Sequence, residues 1–179
     1  AMSEPSISAE TAVLIDAFSG KVLYDRRMDA HMYPASTTKI LTALLAVEET
    51  DPEEDVTVSE NASKQEGSSI YLTPGEKISM KDLLYGMMLR SGNDAATAVA
   101  EAMAGDTETF AEIMNERAAS LGLENSHFVN PSGLQDENHY SSAYDLAMIT
   151  RQALQNDLFR EIVSSRTYQA EREGAEAYK

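Results

Sequence analysis

Apolar and polar residues alternate over two short stretches near the start of the chain, 11–17 (TAVLIDA) and 21–25 (KVLYD), and Phe18-Ser19-Gly20 between them carries a turn glycine. Period-two runs joined by such a turn predict a β-hairpin. The pattern breaks at Tyr33-Pro34-Ala35. The hydroxyl run Ser36-Thr37-Thr38 then predicts the start of a helix covering about 36–49. In that helix Ile40, Leu41, Ala43, Leu44, Leu45 and Val47 leave almost no polar face, which places it in the middle of a fold. An acidic loop from Glu48 to Asp55, with Pro52 as a breaker, ends it.

The stretch 56–73 reads as short strands and loops, and Pro74-Gly75 as a turn. Ser79-Met80-Lys81-Asp82 has the spacing of a capping box and opens a helix whose apolar residues are Leu83, Leu84, Met87 and Met88. Arg90-Ser91-Gly92 interrupts it. Helical periodicity resumes over 94–104 with small residues, and over 107–121, where Gly122 closes the helix. A long polar loop, 123–142, contains Asn130-Pro131-Ser132-Gly133; helices over 143–156 and 157–164 follow, and 166–170 reads as the opening of a strand. Hairpin, helical body and late strand together predict an α+β fold. A lone hairpin is marginal as a sheet, so its remaining strands are expected beyond Lys179 or on another chain.

Composition narrows the function. A chain of 179 residues suits one domain or most of a larger one. Fourteen Lys plus Arg against thirty Asp plus Glu give a net charge of −16, which argues against nucleic acid and anionic membrane surfaces as partners. The absence of cysteine excludes disulfide frameworks, thiolate metal sites and cysteine nucleophiles. No apolar run approaches the ~20 residues of a membrane-spanning helix. Residues 1–10 are polar and acidic, unlike a signal peptide, and Ala1 before Met2 reads as a cloning remnant on a piece of a longer precursor.

Two short motifs carry candidate chemistry. In Ser36-Thr37-Thr38-Lys39 the serine and lysine lie one helical turn apart on one face. A serine hydroxyl needs a base to become a nucleophile. A lysine serves if burial lowers its pKa, and the apolar helix that follows Lys39 provides for burial. The bland alternative is an N-cap serine with a surface lysine. In Ser91-Gly92-Asn93 the polar side chains sit on a turn between helices, where the serine can relay a proton and the asparagine can grip a peptide; read alone, it is an ordinary cap. Together, in this order, they match the first two motifs of penicillin-binding proteins and serine β-lactamases.

The surrounding stretches sharpen the match. Residues 33–42 (YPASTTKILT), 88–96 (MLRSGNDAA), 127–147 (HFVNPSGLQDENHYSSAYDLA) and the opening hairpin resemble the D-alanyl-D-alanine carboxypeptidases of the low-molecular-mass penicillin-binding proteins, serine peptidase family S11. The resemblance runs over essentially the whole chain. It implies a DD-peptidase fold, cleavage of the D-Ala-D-Ala bond of peptidoglycan stem peptides, acylation by β-lactams, and a place in the bacterial cell envelope outside the cytoplasm. It implies Ser36 as nucleophile, Lys39 as general base, Ser91 as proton relay to the leaving D-alanine, and Asn93 as the residue that holds the substrate backbone and helps position Lys39. The Ser36 backbone N–H is expected to donate to the oxyanion. No cofactor and no metal are implied.

One departure stands out. The family's third motif, Lys-Thr-Gly on a strand lining the cleft, is absent: none of the nine glycines follows such a pair. Residues 1–179 are therefore expected to be the N-terminal portion of a catalytic domain, its sheet completed by further chain or a second fragment, with negligible turnover alone. A serine β-lactamase is the enzyme alternative, disfavoured by Gly92 where class A enzymes carry Asp; an inert fragment or binding module is the other. His31, His127 and His139 lack metal-ligand spacing and are expected to be structural or surface residues. Asp136-Glu137-Asn138-His139 lacks the spacing of a calcium loop, and the nine methionines read as core filler. Tyr140, Ser141 and Ser142 receive no role.

Overall fold

The structure, a computed structural model, describes residues 3–173; Ala1 and Met2 lie outside them. Its centre is the helix without a polar face. In α1 (Lys39–Glu49) the side chains of Leu41, Ala43, Leu44, Leu45 and Ala46 are almost completely buried. Packed on α1 are α3 (Met80–Arg90), α4 (Asn93–Ala104), α5 (Thr107–Ser120), α6 (Ala143–Ala153) and α7 (Asp157–Ser164). Small residues on α4, including Ala95, Ala96 and Ala100, are fully buried and let its backbone approach α3. The polar residues before these helices do what their chemistry dictates. Ser79, Asp106, Ser142 and Asn156 each accept a hydrogen bond from the backbone N–H three residues on, satisfying donors the helix itself cannot. Ser142 thereby gains the role its sequence left open.

The expected hairpin is present. Strands β1 (Ala12–Ile15) and β2 (Val22–Arg26) pair antiparallel, with Leu14 opposite Tyr24 and a register shift between Leu14 and Ile15. Among the described residues this sheet has two strands, and Leu14 and Leu23 stay more than half exposed on it. A separate antiparallel sheet runs β3 (Asp55–Thr57), β4 (Lys77–Ser79), β5 (Arg172–Glu173).

Four local expectations are corrected. The helix expected from residue 36 is a 3-10 turn, Ala35–Thr38, with α1 beginning at Lys39. A short helix, α2 (Glu60–Ser63), stands where strands and loops were expected. The helix expected over 143–156 stops at Ala153. The strand expected at 166–170 lies instead at Arg172–Glu173. The reason for the last is side-chain bonding. The Tyr168 ring stacks on Tyr85 at 3.6 Å, its hydroxyl donates to Asp82, and the Glu171 N–H donates to the same carboxylate at 3.0 Å. These bonds strap 168–171 to α3 before pairing with β4 starts.

Candidate active site

Chain geometry sets the serine at the mouth of the fold. Pro34 fixes the entry to the 3-10 turn with φ −76°, and Ala35 adopts φ +49°. A non-glycine residue in that region costs on the order of 1 kcal/mol and persists where surrounding contacts demand it. The turn leaves Ser36 exposed and sends Lys39, one turn on, into the protein, where it is 2% exposed. The Lys39 Nζ lies 3.2 Å from Ser36 Oγ and donates to the Ser132 carbonyl at 2.8 Å. Among the described residues it forms no ion pair. Burial without a countercharge disfavours the ammonium and pushes the Lys39 pKa down to about 8. About a tenth of the side chain is then neutral at pH 7, against roughly one in three thousand for an ordinary lysine.

Ser91 arrives from the other side. It ends α3 with φ +55°, a left-handed position that glycine usually takes. Its hydroxyl donates to Ser36 Oγ at 2.9 Å. Thus Ser36, Lys39 and Ser91, placed together by the sequence reading, do meet. Asn93 Nδ2 donates to the Glu66 carbonyl at 2.7 Å, and among the described residues no hydrogen bond joins it to Lys39, whose amine donates to the Ser132 carbonyl.

Two further groups were missed. Asp94 is fully buried and accepts from Ser69 Oγ and from the backbone N–H groups of Ile70, Leu72 and Ala95. It thereby fixes the 69–72 loop beside Asn93. Gly133 has φ +89°, and a Cβ there would sit 1.8 Å from the Ala35 oxygen and 3.1 Å from the Ser36 nitrogen. Only glycine lets the 130–134 loop lie against the serine turn. Gly133→Val is expected to destabilise the protein by roughly 2 kcal/mol or more, because both the left-handed backbone and the overlap must relax. Urea unfolding of the two proteins measures it; equal midpoints would show that the loop moves aside freely.

Of the three histidines, His31 and His127 are exposed. His31 bonds Asn125 and stacks on Tyr140 at 4.4 Å, and His127 bonds the Asn138 carbonyl. His139 is buried. Among the described residues no group of three or more His, Cys, Asp or Glu is placed to hold a metal ion.

Chemically, the arrangement offers a hydroxyl in contact with a partly neutral amine and with a second hydroxyl. The backbone N–H of that same serine makes no hydrogen bond among the described residues. An α+β body with these groups at its helix-start turn has the fold of the DD-peptidases. The comparisons agree. The family model described as D-alanyl-D-alanine carboxypeptidase matches residues 1–177. The carboxypeptidase DacF of Bacillus subtilis is 45% identical over 157 residues, covering 85% of this chain and 40% of that protein. DacA of Escherichia coli is 39% identical over 168 residues, covering 86% of this chain and 41% of that protein. Penicillin binding protein 5 from Haemophilus influenzae superposes with a TM-score of 0.87 at 33% identity, over 97% of this chain and 54% of that one. The chain belongs to the S11 family of D-alanyl-D-alanine carboxypeptidases. It spans about two-fifths of the length of these two curated relatives.

Proposed function

We propose that the protein is a serine-type D,D-carboxypeptidase that removes the terminal D-alanine from peptidoglycan stem peptides through an acyl-serine intermediate and is acylated at the same residue by β-lactams. The observation that carries this is the single hydroxyl, Ser36 Oγ, touched by both Lys39 Nζ and Ser91 Oγ. Neutral Lys39 takes the Ser36 proton as Oγ attacks the carbonyl between the two D-alanines. The Ser36 N–H donates to the oxyanion. The proton passes through Ser91 to the departing D-alanine amine as the C–N bond breaks. Water, deprotonated by Lys39, then releases the shortened peptide. Asn93, held by Glu66, keeps its Oδ1 for the substrate backbone. Membership of the carboxypeptidase family supports this reading and not the β-lactamase alternative.

Residues 1–179 are, on this reading, the N-terminal part of a catalytic domain whose further strands carry the third motif. The coverage of the relatives supports it, as does the two-stranded β1–β2 sheet with Leu14 and Leu23 exposed. The place of action is extracytoplasmic, where peptidoglycan is; among the described residues no helix is long and apolar enough to cross a membrane. The test is D-alanine release from a lysyl-D-alanyl-D-alanine peptide. The protein with the further strands is expected to release it, and residues 1–179 alone negligibly. No release from the protein with the further strands would overturn the activity; robust release by 1–179 alone would overturn the assignment of a missing motif.

A further inference from the structure

Three polar side chains, one on the residue that caps α1 and two on its first turn, reach one loop. Thr38 Oγ1 lies 2.8 Å from His139 Nε2, Lys39 Nζ donates to the Ser132 carbonyl at 2.8 Å, and Thr42 Oγ1 donates to the Pro131 carbonyl at 2.7 Å. The same histidine closes that loop on itself, because the Val129 N–H donates to His139 Nδ1 at 2.9 Å. A backbone N–H can only donate, so Nδ1 is the bare nitrogen. The imidazole proton therefore sits on Nε2 and is donated to Thr38 Oγ1. The ring is 1% exposed and meets Phe128 edge-on at 5.5 Å.

We propose that His139 is a positioning residue for the proposed reaction: by tying Thr38 to Val129 it holds the Pro131–Ser132 carbonyls against α1, which keeps the Lys39 amine on Ser36 Oγ and out of water. The inference rests on the proposed role of Lys39. It differs from ordinary core packing because the link joins the residue preceding the base to the loop that supplies the base's carbonyl partner. The titratable groups facing the imidazole are Asp136, which favours its protonation, and His127, which opposes it; burial, acting in the same direction as His127, outweighs Asp136 and brings His139 down to about 4. The single-tautomer link therefore persists through neutral pH. Protonation would set an Nδ1–H against the Val129 N–H, two donors facing each other.

Two substitutions cut the link from opposite ends. His139→Asn keeps an acceptor near the Nδ1 position for Val129 and removes the donor to Thr38. Thr38→Val removes the hydroxyl and keeps the ring. Thr38→Ser restores the hydroxyl. The readout is the titration of Lys39 in the intact protein, followed by NMR with carbon-13 at lysine Cε, which needs no turnover. The wild type and Thr38→Ser are expected to titrate near 8. His139→Asn and Thr38→Val are each expected to raise the midpoint by about one pH unit as water reaches the amine, with penicillin acylation at pH 7 about tenfold slower because the neutral fraction falls tenfold. The double variant is expected to add nothing to either single change. Should Thr38→Val fail to fold, His139→Asn carries the test. Variants with lowered melting temperature but an unchanged Lys39 midpoint would overturn the positioning role and leave the proposed function standing. A wild-type Lys39 titrating near 10.5 would overturn both.

Discussion

Replacing Ser36 by alanine is expected to abolish covalent capture of a fluorescent penicillin by the intact protein while leaving its melting temperature nearly unchanged. The size of the effect follows from the chemistry. Without the hydroxyl there is no acyl-enzyme at all, so the adduct falls by at least about a thousandfold rather than by the modest factor of a lost contact. Ser91 does not take over. Its hydroxyl donates to Ser36 rather than contacting Lys39, and it lacks the open backbone N–H found at position 36. Stability is spared because Ser36 is exposed, so its truncation opens no buried cavity. Intact-mass measurement of both proteins after penicillin treatment checks the result; an adduct persisting in Ser36→Ala would place the nucleophile elsewhere.

Lys39→Arg is expected to slow acylation by about a thousandfold although it keeps the positive charge. A guanidinium stays protonated at any pH the fold survives, so it can donate to Ser132 but cannot receive the Ser36 proton. Lys39→Met, uncharged and of similar volume, separates charge from basicity. It should be as slow as the arginine variant if the amine works as a base, and markedly slower than it if the amine merely supplies charge. Stopped-flow or gel-based acylation rates at pH 8 distinguish the two, since even a hundredfold loss is easily resolved.

The fold was legible where one short stretch of chain contains the whole physical cause. Leu41 to Ala46, apolar but for Thr42, lie at the centre of the molecule; Ser79 and the hairpin act through neighbours within a few residues. The site motifs were legible for a different reason: the resemblance tied Ser36, Lys39 and Ser91 together although up to 55 residues separate them. What could not be read depends on distant backbone. The Lys39 amine rests on a carbonyl 93 residues away, and Thr38 meets His139 across 101 residues. His139 was expected to be a structural or surface residue, and nothing in its own neighbourhood revealed which helix it meets. Strand β4 was invisible because three residues with one buried apolar side chain, Ile78, make no period-two pattern; its partners β3 and β5 create it.

The central claim is that burial gives Ser36 a neutral amine to work with. The pH dependence of the acylation rate of the wild-type protein by a penicillin tests it most directly. The Lys39 side chain loses its proton as pH rises through about 8, so the rate should climb across that value and level off above it. A rate that is flat from pH 6 to 9, or one that rises only near the ordinary lysine value of about 10.4, would contradict the account.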